Sequence, residues 1–279
     1  MRGAEAGKEI GLWLIGGAQR SGTTLLQTLL CNHLPKAPLL SEAHILCRLL
    51  QTYRLALQDG DKTADYYEDE PALAGFYQTL AARHLADLEV LHEGLSHLVL
   101  KDPNFVQIGR DLERLLPEAA LVIALRDPRD IAASFVQIGA RELALGRRTK
   151  HYTDRNIDFF CKKIRQSYEP LLAPETRPER ALLVRYEALV RAPEAEIGRL
   201  LEARGQRAAG HSDAAGLRWL DAAKRHKDSW ISPLEEGPPS TASVGTYRTI
   251  LTAPEIAKVE DRCGPIMAAF GYDRDRSAA

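Results

Sequence analysis

An apolar run, Leu12 to Gly16, leads into Gly17-Ala18-Gln19-Arg20-Ser21-Gly22-Thr23-Thr24 and from there into Thr23 to Cys31, whose apolar residues recur at helical spacing. Strand, glycine-rich loop and helix in that order constrain the chain more than any other feature, because they specify both a fold type and a place for a ligand. The first N–H groups of a helix have no partner within it, and the aligned peptide dipoles make that end positive. The N–H groups of Gly22, Thr23 and Thr24 therefore form a candidate cradle for an anion, which the glycines allow to approach closely. The spacing is Gly-x-x-x-x-Gly, but Thr23 stands where a nucleotide triphosphatase carries its phosphate-binding lysine.

Three further short apolar runs, His97 to Lys101, Ala120 to Arg126 and Ala181 to Tyr186, alternate with helix-period segments at Phe105 to Leu116 and Arg129 to Leu145. Pro117 stops the first of these helices and Pro128-Arg129-Asp130 opens the second. The alternation predicts an α/β fold with a parallel sheet covered by helices. Tyr53 to Leu95 is polar, helical in period and strand-free, and reads as a helical insertion between the first two strands. The stretch 229–247 holds three prolines and two glycines among serines and threonines, the composition of a lid-like loop. Pro254 to Phe270 closes the chain as a helix. One domain over 9–272 follows, with tails at 1–8 and 273–279.

With 45% hydrophobic and 27% charged residues, the 279-residue chain can build one sizeable core. A formal net charge of -1 argues against a partner that is nucleic acid, which calls for a clear basic excess. Cys31, Cys47, Cys161 and Cys263 form no Cys-x-x-Cys pair, so neither a zinc site nor a disulfide framework is expected, and no metal is. The apolar stretch Ile10 to Ala18 is too short for a membrane span and runs into a loop rather than a cleavage site, which places the protein in the cytoplasm as an expectation.

The remaining candidates lie at strand ends, where open α/β sheets bind ligands. Arg126 ends the third strand, and Ser134 lies two turns along the following helix; a guanidinium fork and a hydroxyl suit a phosphate. The alternative is an ion pair of Arg126 with Asp127 or Asp130. Lys101 ends the second strand, within Lys101-Asp102-Pro103, as an anion-binding cation or as a solvated strand-end lysine. Glu42, in Ser41-Glu42-Ala43, is either a base or the acidic first turn of a helix running to Leu50.

The run Arg20-Ser21-Gly22-Thr23-Thr24 resembles the 5′-phosphosulfate loop of sulfotransferases that use 3′-phosphoadenosine-5′-phosphosulfate (PAPS), in the branch of the tyrosylprotein sulfotransferases and their bacterial relatives. The resemblance implies a three-layer P-loop-type sheet. It also implies that Arg126 and Ser134 hold the 3′-phosphate, with Tyr186 of Arg185-Tyr186-Glu187-Ala188-Leu189 nearby. Ser243-Val244-Gly245-Thr246-Tyr247-Arg248 looks like the family's C-terminal phosphate-binding segment, which assigns Ser243, Gly245 and Arg248 to the donor. That branch carries arginine at the Arg20 position, a Lys-Asp-Pro after its second strand and a glutamate near the Glu42 position. The roles implied are Arg20 and Lys101 as cations on the leaving phosphate and Glu42 as base. Other branches use a histidine, for which His33, His44, His92 and His97 are available; His44 is the reserve candidate and His33 reads as a cap or packing residue.

The expected activity is sulfuryl transfer from PAPS to the hydroxyl of a small molecule, a glycan or a tyrosine, without a metal, leaving 3′-phosphoadenosine 5′-phosphate (PAP). The resemblance also makes a homodimer an expectation. The rival readings are a P-loop nucleotide kinase or hydrolase, opposed by Thr23 and by Arg126 at a strand end where an acidic metal ligand is expected, and a non-catalytic nucleotide-binding protein.

Overall fold

A computed structural model of the protein describes residues 10–208, 230 and 238–274. Four strands form one parallel sheet in the order β2-β1-β3-β4: β1 Gly11–Gly17, β2 His97–Lys101, β3 Ala120–Leu125 and β4 Leu182–Arg185. Each runs where the apolar periodicity put it, within two residues at either end. β3 is buried at all six positions, as a central strand of a two-sided parallel sheet must be.

Alternate strand residues enter two different cores. Leu14, Leu98, Leu100, Leu121, Ile123 and Leu125 point into one, and Trp13, Ile15, Val99, Val122, Ala124 and Val184 into the other. This period of two divides the sheet's faces between two helical layers and makes the three-layer α/β architecture. On the second face lie α1 (Thr23–His33), α8 (Tyr186–Arg191) and α9 (Pro193–Glu202), through residues such as Leu26, Leu30, Leu189 and Leu200.

The first face carries more helices. α2 (His44–Gln58), the single turn α3 (Gly60–Thr63) and α4 (Glu70–Leu91) make up the insertion between β1 and β2. It begins earlier than expected and is less polar: α2 buries Leu46, Cys47, Leu50 and Tyr53 at helical spacing in the main core. α5 (Gly109–Leu115) follows β2, α6 (Pro128–Ala144) follows β3, and α7 (Ile157–Tyr168) packs between them and the C-terminal helices. α10 (Tyr247–Ile250), α11 (Ala253–Arg262) and α12 (Gly264–Ala269) complete the described chain.

Two expected helices are broken, each for a local reason. In place of one helix over Phe105–Leu116, a 3-10 segment Pro103–Ile108 precedes α5. That segment presses on β1, where a Cβ added to Gly16 would lie 2.6 Å from the Val106 nitrogen. The helix expected over Pro254–Phe270 divides at Cys263, because Pro265 has no N–H to continue α11 and its ring opposes the carbonyl one turn back. Of the expected lid-like loop at 229–247, Trp230 and 238–247 are described and the rest lies outside the described residues, as do the tails 1–8 and 275–279.

Glycine spacing matters most at Gly139 of α6, where an added Cβ would overlap the carbonyl of Tyr152 as the chain crosses the helix. Gly139→Ala is expected to cost about 2 kcal/mol or more, because backbone must move. Gly75→Ala, in the open middle of α4 with nothing within 4 Å, is expected to stabilise by about 0.5–1 kcal/mol. Denaturant unfolding of the two variants checks both signs.

Candidate active site

β2 and β3 flank β1 on opposite sides, so the chain reverses its direction across the sheet beside the carboxyl end of β1, the usual ligand position in such folds. The glycine-rich loop leaves β1 there. Gly17 and Gly22 have φ of 152° and 93°, and Gly22 is the left-handed N-cap of α1. A side chain at Gly22 would overlap the Tyr186 ring. Arg20 also sits at positive φ, 72°, where a non-glycine residue is strained; such strain is held in place by surrounding contacts. Ser21 is fully buried beneath the loop, its N–H on the Ala18 carbonyl at 3.0 Å.

Above the loop opens a cavity of about 460 Å³, of the size that takes a nucleotide-sized ligand. Arg20, Gly22, Thr23, Thr24, Arg126, Ser134, Tyr186 and Ser243 all line it, so eight of the candidates from four separate stretches of sequence meet in one place. Arg126 joins them. Its Nη1 donates to the Arg20 carbonyl at 2.8 Å, its Nη2 donates to the Ser243 carbonyl at 2.7 Å, and its guanidinium lies 4.4 Å over the Tyr186 ring. The Tyr186 hydroxyl is 2.5 Å from Ser243 Oγ. Arg126 is 6% exposed, and its Nε has no hydrogen-bond partner. A buried cation at the wall of this cavity favours an anion there.

The expected ion pair of Arg126 with Asp127 or Asp130 does not form as the alternative supposed. Asp127 caps α6 and grips Arg129, whose other end reaches Glu260 at 2.7 Å. Asp130 instead clamps the C-terminal segment: it accepts from the N–H of Gly245 at 2.8 Å, the N–H of Tyr247 at 3.0 Å and Thr246 Oγ1 at 3.2 Å. Burial holds the Asp130 carboxyl above the ordinary aspartate range, against the pull of Arg126 and of those N–H groups. This clamp presents Ser243 and Thr246 to the cavity. Gly245 serves the turn at φ 75°, and Arg248 lies over the Tyr247 ring at 4.5 Å, lining a separate concavity with Arg129 and Arg274. Gly245, Arg248 and Ser21 are not among the residues that line the cavity.

Arg20 reaches along the cavity, its Nε donating to Ser134 Oγ at 3.1 Å and its Nη1 to the Trp230 carbonyl at 2.7 Å. The loop arginine and the serine on α6 are therefore direct neighbours, and Gln137 and Arg141 extend the same α6 face along the cavity. Lys101 and Glu42 form a second group. The Ala43 N–H bonds the Lys101 carbonyl at 2.8 Å, which ties the segment before α2 to the end of β2. Lys101 is 4% exposed, and its Nζ donates to Glu42 Oε1 at 2.7 Å and approaches Thr24 Oγ1 at 3.5 Å. Thr24 lines the cavity, so it connects the two groups. α2 starts at His44 with Ala43 as its cap, so Glu42 stands ahead of the helix rather than in its first turn.

Residues 14–208, well over half of the chain, match the sequence profile described as the sulfotransferase family. The chain belongs to the sulfotransferase family. Curated relatives include carbohydrate sulfotransferase 2 of Mus musculus, 25% identical over 68% of this chain and 36% of its own length. Protein-tyrosine sulfotransferase 2 of Gallus gallus is 25% identical over 79% of this chain and 55% of its own length. The chain thus spans between about a third and about half of these relatives. Among solved structures, the sulfotransferase domain from the curacin biosynthetic pathway superposes with a TM-score of 0.56 at 17% identity, covering 96% of this chain and 100% of that one. A sulfotransferase of Mycobacterium avium gives 0.52 at 17% identity, covering 98% and 80%. These likenesses show a shared fold.

Three functional-looking residues escape sequence reasoning. Asp102 and Asp130 lie within motifs that single out their neighbours, but the partners that give them meaning are 58 and about 115 positions away. Thr246 had the same obstacle. By contrast Gln137 and Arg141 follow Ser134 at three and seven residues, a spacing from which the helix face is legible. His33, read as a cap or packing residue, is fully buried between the Leu29 carbonyl and Glu194.

Replacing Asp130 by alanine leaves the N–H groups of Gly245 and Tyr247 without their acceptor and the Thr246 hydroxyl with only the Ser243 carbonyl. It is expected to lower unfolding free energy by about 2–4 kcal/mol and to hasten proteolysis within 238–250. Asp130→Asn, which keeps one acceptor oxygen, is expected to cost less; urea titration of both orders them.

Proposed function

We propose that this protein transfers the sulfuryl group of PAPS to an acceptor hydroxyl. The observation that carries the reading is the buried Arg126 guanidinium, which gathers the glycine-rich loop, Tyr186 and the C-terminal segment at the wall of one cavity. The family membership supports the reaction class, and the absence of a Walker lysine at Thr23 opposes phosphoryl transfer from a nucleoside triphosphate.

In this reading the helix N-terminus at Gly22, Thr23 and Thr24 holds the 5′-phosphosulfate, while Arg126, Ser134 and the Tyr186–Ser243 pair receive the 3′-phosphate. Arg20 and Lys101 stabilise the negative charge that grows on the bridging phosphate oxygen as the sulfur–oxygen bond breaks. Glu42 lies beside Lys101 at the mouth of that site, 39% exposed, and takes the acceptor's proton. PAP leaves as product. The relatives' names, carbohydrate and protein-tyrosine sulfotransferase, make sugar and phenolic hydroxyls the acceptors to try before other small molecules. Four free, buried cysteines support a reducing, cytoplasmic setting, and no helix of the described residues is long and apolar enough to cross a membrane.

The test is transfer of radioactive sulfate from labelled PAPS to a panel of saccharides, tyrosyl peptides and phenols. Arg20→Ala is expected to lower kcat by about 10²–10³-fold, as loss of a transition-state cation does, with a smaller change in donor KM. Ser134→Ala is expected to raise donor KM while leaving kcat within about threefold. No transfer to any acceptor, together with phosphate transfer from ATP and magnesium, contradicts the reading.

A further inference from the structure

Between the end of β2 and the start of α2, four side chains of alternating charge form a continuous line: Asp102, His44, Glu42 and Lys101. Asp102 is fully buried and held still, its Oδ1 accepting from the backbone N–H of Asn104 at 2.8 Å and from the Asn104 side-chain amide at 2.9 Å. Its Oδ2 is left for His44 Nδ1, at 2.5 Å. The other ring nitrogen, Nε2, lies 3.2 Å from Glu42 Oε2, and Glu42 Oε1 takes the Lys101 ammonium at 2.7 Å.

The positions of the protons follow from the chemistry of the groups. An ionised carboxylate only accepts, so the proton between Asp102 and His44 sits on Nδ1. A neutral His44 then turns a bare Nε2 lone pair toward the lone pairs of Glu42 Oε2. Two acceptors at that separation attract only if one proton lies between them. Asp102 fixes the ring, Lys101 fixes the far oxygen of Glu42, and neither can fill the gap.

We infer that Glu42 Oε2 and His44 Nε2 form a slot for one proton, positioned by Asp102, and that this slot receives the proton of the acceptor hydroxyl. The inference rests on the sulfuryl-transfer reading and adds the residues that complete its base. With the slot empty, the four side chains carry one net negative charge; with it filled they are neutral. As the acceptor oxygen bonds sulfur, its O–H bond breaks and the proton enters the slot. The sulfur–oxygen bond to phosphate breaks with its electron pair leaving on the phosphate oxygen, toward the cations Lys101 and Arg20. No further reactant is needed. The ring is more than half exposed, at 61%, so acceptor and solvent both have access.

The charged and titratable groups around His44 among the described residues are Asp102 and Lys101 from β2 and its end, Glu42 ahead of α2, and Cys47 and Arg48 on α2. Cys47 stays a thiol, since burial and then the Asp102 charge push it up. Glu42, His44 and Asp102 also bring one ligand atom each within 4.8 Å of one another, which makes a divalent cation the competing occupant of the same place.

Two measurements on the full chain test the slot. In a spectrum of protein carrying ¹⁵N-histidine, the resonances that vanish in His44→Gln are expected to show a proton on both ring nitrogens, with Nε2 losing its proton in Glu42→Gln. A single-proton ring indifferent to Glu42 overturns the inference, whatever the protein's activity. With transfer from PAPS to the best acceptor of the panel as readout, His44→Gln is expected to lower kcat by about 10²-fold, with donor KM within about twofold. Asp102→Asn is expected to weaken kcat in the same direction, with the unfolding midpoint of each variant as the folding control. A wild-type kcat retained in His44→Gln overturns the slot while leaving sulfuryl transfer standing; no transfer by the wild type removes the parent reading instead. Activity lost to EDTA and restored by a divalent cation overturns the slot by replacing its proton with a metal.

Discussion

The site depends on one buried guanidinium. Arg126 ends the most buried strand of the sheet, and from there it bonds the backbone of the glycine-rich loop, bonds the backbone of the C-terminal segment and covers the Tyr186 ring. A cation taken out of water is tolerated only where each donor finds an acceptor, and carbonyls meet two of these needs without neutralising the charge. What remains is positive charge at the wall of a cavity. Loop, tyrosine and C-terminal turn are arranged around that residue.

Asp127 and Asp130, one and four positions beyond Arg126, hydrogen-bond elsewhere. Asp127 is committed to Arg129, and Asp130 to the N–H groups of Gly245 and Tyr247. The Asp130 clamp brings the C-terminal segment to the cavity, while its carboxylate still feels the Arg126 charge. On the other side of Thr24, Lys101 is paired with Glu42, so two ionic groups meet at that threonine.

Much of this was legible because the chemistry-bearing residues sit at positions that the fold repeats. Strand ends and helix starts can be read from apolar periodicity, so Arg20, Thr23, Thr24, Lys101, Arg126 and Ser134 could be placed on one edge of a sheet before any coordinates. What escaped reading depends on contacts between distant segments. Lys101-Asp102-Pro103 drew attention to its lysine, while Asp102, fully buried, acquires its part from His44 on a helix 58 positions earlier. Arg248 was singled out by its place in a motif, and its position over the Tyr247 ring follows from the left-handed turn at Gly245 and the hold of Asp130 on Tyr247. Strand pairing fixes edges; turns of a few residues decide which side chain crosses them.

The central claim is that the cavity under Arg126 is made for two separate phosphate groups on one nucleoside, without a metal to carry them. Titration calorimetry of the protein with PAP, compared with AMP and with ATP plus magnesium, tests it most directly. The account predicts tight binding of PAP that does not change when magnesium is withheld, with AMP weaker by at least about 100-fold for want of the 3′-phosphate contacts. Equal affinity for PAP and AMP, or a preference for ATP with magnesium, contradicts it.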